Sequence, residues 1–211
     1  LPWSGYIQGF PLKVDVHHLA TFFGEGWLSG DLENLMMDLL RRDVAEASLE
    51  SDVELAAESA WFIPKIIEAS KKEQAYQDDQ GFRSLRRIGL QLSVGGKRML
   101  GTLANVNGNH WVAIVVDVEG RRILHGDSFG NKINPELGLA LDWWIHQHFG
   151  EHFLFEDLPI TAQRDGFSCG LLAWRALESF ILGAEEQETE NMADYRLEIF
   201  LRIVERHNNK V

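Results

Sequence analysis

Three apolar runs, Met99 to Val106, Trp111 to Val118 and Arg121 to Asp127, follow one another with only Asn107-Gly108-Asn109 and Glu119-Gly120 between them. Connections so short leave no room for a crossover, so the runs predict three strands in an antiparallel meander. The rest of the chain has to pack around that sheet. Ahead of it, Leu32, Leu35, Met36, Leu39 and Leu40 recur at helical spacing between Asp31 and about Arg42, with Ser29 or Asp31 available as the N-cap. A second helix is expected over Ser51 to Phe62, stopped or kinked by Pro64, with Lys65 to Gln77 resuming as another before the polar turn Gln77 to Gly81.

Beyond the meander, Pro135 opens a helix running to about Phe149, and a short strand is expected over His152 to Pro159. Cys169 to Leu182 reads as a long apolar helix and roughly Met192 to Arg206 as a last one. Helices, then a sheet, then helices make an α+β arrangement. With 211 residues, 45% of them hydrophobic, the chain can bury one full core, and no repeat or linker divides it. A single domain over 1–211 is expected. The acidic run Glu185 to Glu190 reads as a solvated loop between the last two helices.

Twenty basic against 32 acidic side chains give a net charge of -12, which argues against attraction to nucleic acid phosphates and favours a basic partner surface. No stretch approaches the ~18 consecutive apolar residues of a membrane span, and Leu1-Pro2-Trp3-Ser4-Gly5 lacks the basic and apolar regions of a signal peptide. An intracellular protein of nucleus or cytoplasm, acting as a monomer away from membranes, is the expectation. Since the chain opens on Leu1 and not Met, a targeting segment upstream is left open.

The chain has one cysteine, which rules out an intramolecular disulfide and a Cys-rich zinc site. That residue is inert packing or chemistry. In Gly166-Phe167-Ser168-Cys169-Gly170 it falls at the first turn of the apolar helix, where unpaired N–H groups and the helix dipole are expected to lower a thiol pKa. The flanking glycines allow close approach of backbone and substrate. A thiol hydrolase also needs an imidazole, a group to orient it and donors for the oxyanion. His110 stands at the entrance of one strand and Asp127 at the end of the next, while Gln163, six residues before Cys169, has an amide able to point at an oxyanion. Spacing alone does not choose among eight histidines, and His125, two residues before Asp127, competes for the role of base.

His110-Trp111, Asp127-Ser128 and Gln163-Arg164-Asp165-Gly166-Phe167-Ser168-Cys169-Gly170 together resemble the ubiquitin-like-protein proteases, the SUMO protease family in the clan of the adenovirus protease. The intervals of 17 residues from His110 to Asp127 and 42 from Asp127 to Cys169 suit that family, as does Trp27-Leu28 ahead of the Leu-rich helix. The resemblance covers roughly 26–182, leaving 183–211 as a C-terminal helical extension. It implies a papain-like fold, with a central mixed or antiparallel sheet flanked by helices and the nucleophile at a helix N-terminus. It further implies cleavage after the terminal Gly-Gly of a ubiquitin-like modifier or its conjugates, whether of SUMO, NEDD8 or ubiquitin type, with no cofactor. On this resemblance Cys169, His110, Asp127 and Gln163 are catalytic. Trp27, Trp111 and Gly170 are substrate-binding, the tryptophans forming a narrow slot that admits only glycines.

The family usually has Asn where this chain has Asp165, Asp where it has Ser168, and an acid where it has Gly30, the acid here being Asp31. The same clan holds acyltransferases, and a catalytically silent modifier-binding module is the other alternative. His146, His148 and His152 do not share a helix face and are not expected to hold a metal. Arg83, Arg86, Arg87, Lys97 and Arg98 read as a solvated helix face and strand edge, and Asp142-Trp143-Trp144 as helical core. Replacement of Cys169 by Ala is expected to abolish turnover, measured on a fluorogenic substrate, and to leave folding and modifier binding largely intact.

Overall fold

In the computed structural model, which describes residues 4–56, 59–184 and 191–209, the expected meander is the centre of a five-stranded mixed sheet. The strands β1 (Val53–Leu55), β2 (Met99–Val106), β3 (His110–Asp117), β4 (Arg122–Gly126) and β5 (Leu154–Asp157) lie side by side in sequence order. β2, β3 and β4 are antiparallel, with Thr102 opposite Ile114 and Val115 opposite Leu124, while β1 and β5 add in parallel at the two edges.

Alternation along the central strands sends side chains to two separate cores. Leu103, Ala113, Val115 and Leu124 face α1 (Gly30–Glu46), α5 (Cys169–Leu182) and α6 (Met192–Asn209). Leu100, Val112, Ile114, Val116 and Ile123 face α2 (Ser59–Ser70), α3 (Arg83–Ser93) and α4 (Pro135–Phe149). Burial on both faces is why β3 reads as an unbroken apolar run. The result is the α+β fold the sequence predicts: helices on both sides of a mixed sheet, with Cys169 as the first residue of α5.

Local signals account for most boundaries. Ser29 caps α1 by accepting a hydrogen bond from the Leu32 N–H, and Asn134 caps α4, whose Pro135 fills the first position. Gly150 and Gly183 end α4 and α5 in the left-handed conformation. Two readings change. Ser51 to Phe62 is not one helix: Val53–Leu55 pairs with β2, whose edge offers backbone partners that no local helical preference replaces. The helix that follows runs through Pro64 to Ser70, because so early in α2 the missing N–H removes only one intrahelical bond. The segment after it holds a single 3-10 turn at Glu73–Ala75 in place of a further helix. The acidic run 185–190 lies outside the described residues.

The basic island is tied into the fold. Arg86 on α3 donates to the carbonyls of Tyr76 and Asp79, Lys97 to those of Glu50 and Val53, and Arg98 faces Asp52 and Glu119. The last helix is equally integrated: Tyr195, Ile199, Phe200 and Ile203 of α6 share the core of α1 and α5, and Arg202 bridges Asp43 and Glu178. Among the described residues no helix is long and apolar enough to cross a membrane.

Trp174 joins α5 to α1: its ring is fully buried, and its indole N–H donates to the Met36 carbonyl at 2.7 Å. Trp174→Ala is expected to destabilise the protein by about 3–5 kcal/mol in chemical denaturation, through the cavity it leaves in the core.

Candidate active site

Antiparallel pairing of β3 with β4, in a register that sets Ala113 opposite Gly126, brings the beginning of one strand beside the end of the other. His110, first in β3, and Asp127, just past β4, therefore meet, with Nε2 at 2.9 Å from Oδ1. Asp127 is held in turn: Oδ1 accepts from the Phe129 N–H at 2.7 Å and Oδ2 from Asn131 at 3.3 Å. The Phe129 ring stacks on the imidazole with centroids 5.1 Å apart. With Nε2–H donated to the carboxylate, the neutral imidazole keeps Nδ1 as the nitrogen free to accept a proton. His125 is placed differently, within β4 between Ile114 and Asp157, where burial pushes its pKa down against the pull of Asp127 and Asp157.

Packing of α5 on β3 carries Cys169 to the same place. A cleft of about 480 Å³ is lined by Cys169, His110, Asp127, Trp27 and Phe129, and His125 borders it as well. A second cavity of about 280 Å³ is lined by Cys169, Trp27 and Trp111 together with Asn105, Gly108 and Asn109. Cys169 and Trp27 thus border both. Trp27 is half exposed and is fixed by its indole N–H, which donates to the Gly166 carbonyl at 2.5 Å, whereas Trp111 is buried.

Burial of Cys169 pushes its thiol pKa up. Backbone N–H groups of Trp111, Gly170 and Cys169 itself pull the other way, and the Glu33 charge opposes them. The net shift is upward, so the lowered pKa expected from the helix N-terminus is overturned: desolvation outweighs the helix end. A thiol in this position needs a base.

Gly170 does not border either cavity. It is buried, and a Cβ built on it would overlap Glu33 Oε1 and approach Trp111 Cδ1 to 3.2 Å. What glycine supplies there is a close approach between α5 and α1. Gln163 is engaged elsewhere: its carbonyl accepts from Ser128 Oγ at 2.7 Å, and its amide nitrogen donates to the Asp165 carbonyl at 2.9 Å and to Oδ1 at 3.2 Å. Asp165 also accepts from the N–H groups of Phe167 and Ser168 and from Ser168 Oγ. Burial pushes its pKa up, but those four donors more than offset it and the carboxyl lies below its usual range. His148 bonds to Tyr76 and His152 to Asp142, and among the described residues no cluster of metal-ligating side chains occurs.

Arg196 escaped the reading of the sequence. Almost wholly buried, its guanidinium donates to the carbonyls of Thr21, Gly24 and Gly26, at 2.9, 2.7 and 2.7 Å, and to that of Phe167 at 3.4 Å. It ties the loop that delivers Trp27 to the loop that delivers Cys169. The available signal was an arginine one helical turn from Ile199 and Phe200, on the apolar stripe of an amphipathic helix.

An α+β fold with a cysteine at a helix N-terminus, in one cleft with a carboxylate-bound histidine, defines a thiol hydrolase. Residues 26–138 match the sequence profile of the Ulp1 protease family, C-terminal catalytic domain, and the chain belongs to that family of cysteine proteases. Among solved structures it is similar to the C-terminal Ulp1 protease domain in complex with Smt3, the yeast ortholog of SUMO. That match has 16% identity and a TM-score of 0.72, covering 100% of this chain and 91% of the other. The Ulp1-like SUMO protease catalytic domain of Chaetomium thermophilum matches at 14% identity and a TM-score of 0.64, covering 88% and 74%. The Xanthomonas campestris effector protein XopD, bound to ubiquitin, matches at 18% and 0.52, covering 82% and 91%. No curated protein matches the chain in sequence.

His110→Ala is expected to lower kcat/KM by about 1,000-fold or more, the loss of a general base, while His125→Asn is expected to stay within about threefold in a folded protein. Steady-state kinetics on both variants distinguish the two histidines.

Proposed function

We propose that this protease cleaves after the C-terminal Gly-Gly of a ubiquitin-like modifier, releasing it from a precursor or a conjugate. The observation that carries the reading is the His110–Asp127 pair, 2.9 Å apart, facing one cleft with Cys169 beneath Trp27. Cys169 Sγ attacks the carbonyl of the terminal glycine while His110 Nδ1 takes the thiol proton. Asp127 holds the tautomer that leaves Nδ1 available and stabilises the imidazolium. His110 then returns the proton to the leaving amine, and water resolves the acyl-thioester with His110 acting as base again.

The Cys169 backbone N–H is one oxyanion donor. Gln163 is the second, as the family pattern assigns, and must exchange a hydrogen bond to Asp165 for one to the oxyanion. Trp27 and Trp111 border the cavity beside the thiol, and flat indoles admit a chain without side chains and exclude a bulkier one. The complexes of similar proteases with Smt3 and with ubiquitin support a modifier of this class. The whole chain acts as one catalytic domain, since α6 shares its core with α1 and α5.

A panel of ubiquitin-like modifiers carrying a C-terminal electrophile tests this directly. An adduct on Cys169 with at least one member, detected by intact mass, is expected, and Trp27→Ala should slow its formation by about tenfold. Absence of any adduct on a folded protein would overturn the reading in favour of acyl transfer or mere binding.

A further inference from the structure

Glu33 lies in the first turn of α1 and has no solvent exposure. Its carboxyl abuts the Cα of Gly170, the residue after the nucleophile, so closely that only glycine fits there. Among the described residues neither of its oxygens has a hydrogen-bond partner. Charged groups face it from two neighbouring elements: Arg196 on α6, whose Nε is also without a partner, and Cys169 on α5. Trp111 of β3, which shares the contact with Gly170, is uncharged. Asp165, ahead of α5, faces Arg196 as well and draws on the same positive charge.

Arg196 spends both terminal nitrogens on four backbone carbonyls, so Glu33 receives its charge at a distance and none of its protons. A buried carboxylate without donors is strongly disfavoured, and burial, relieved only in part by Arg196, pushes the Glu33 pKa up to about 8. When Glu33 does ionise, its negative charge stands behind the first turn of α5, where it opposes formation of the Cys169 thiolate.

We propose that Glu33 is a positioning residue that sets the reactivity of Cys169: neutral, it fills the space behind Gly170, and ionised, it holds the thiol protonated. It acts through the helix end and touches no substrate. The proposal rests on Cys169 being the nucleophile. Its consequence is a restraint on the free thiol in alkaline solution, where reactivity rises later than for an isolated buried cysteine.

The single cysteine makes the test direct, because alkylation by iodoacetamide followed by intact mass reports on Cys169 alone. Wild type and Glu33→Gln are compared from about pH 6 to about pH 10, a range that covers the ionisation of Glu33. The carboxamide keeps the shape and cannot ionise. His110 is common to both proteins, so the effect is read as their difference: Glu33→Gln should have its thiol midpoint lower by about 0.5–1 pH unit, with alkylation up to about 3–10-fold faster where Glu33 is ionised and the wild-type thiol is still mostly protonated. Superimposable profiles, or a midpoint moved to higher pH, overturn the proposal. Should Glu33→Gln fail to fold, Glu33→Met, of similar length and without a charge, is read in the same way. Retained turnover in Cys169→Ala would sink the nucleophile assignment instead, whereas the alkylation comparison reads the Glu33 effect on the thiol whatever the substrate.

Discussion

The contact of α5 with β3 is the interaction on which the site depends. Leu171, Ala173 and Leu177 pack in the core that Leu103, Ala113 and Val115 present from the sheet, and that packing fixes both the height and the rotation of the helix. Cys169, as its first residue, has no freedom beyond that of the helix itself. His110 is set by the other partner, as the first residue of β3. A nucleophile and a base that share no local sequence are thereby held by one apolar interface. The same helix grips α1 through Trp174, and α1 follows Trp27 and contains Glu33, so the wall of the cleft and the acid behind the thiol both answer to this one element.

Much of this was legible in the residues. The meander followed from apolar runs with turns too short for a crossover, and those turns dictate that the start of β3 meets the end of β4, which is the His110–Asp127 pair. Cys169 at a helix start followed from Gly-Phe-Ser-Cys-Gly before an apolar stretch. Non-local effects were the part that did not show. β1 is three residues long and is a strand only because β2 lies beside it, and Pro64 is tolerated because of where α2 begins. The raised thiol pKa is a matter of burial, which a helix-end rule read from sequence omits. Gln163 stood at the expected interval, yet its bonding partners, Ser128 and Asp165, are chosen by the fold.

The departures from the family pattern form one arrangement. Where the resemblance implies Asn and then Asp, this chain has Asp165 and then Ser168, and the two bond to each other through Ser168 Oγ at 2.7 Å. The negative charge stands three residues before Ser168, on the approach to α5, and Asp165 gathers the Phe167 and Ser168 N–H groups that would otherwise be unpaired at the helix start. Its carboxylate also balances Arg196, which a neutral Asn would not. The two departures are therefore coupled through one hydrogen bond and leave one negative charge in the loop.

Arg196 gives the polypeptide an order of assembly. In chain order the histidine, the aspartate and the cysteine all precede it. The carbonyls of Thr21, Gly24, Gly26 and Phe167 have no cation to gather them until α6 follows. Until then the bond from the Trp27 indole to the Gly166 carbonyl lacks that support. The two loops that frame the thiol are thus fastened by the last element of the fold, through a residue that performs no chemistry.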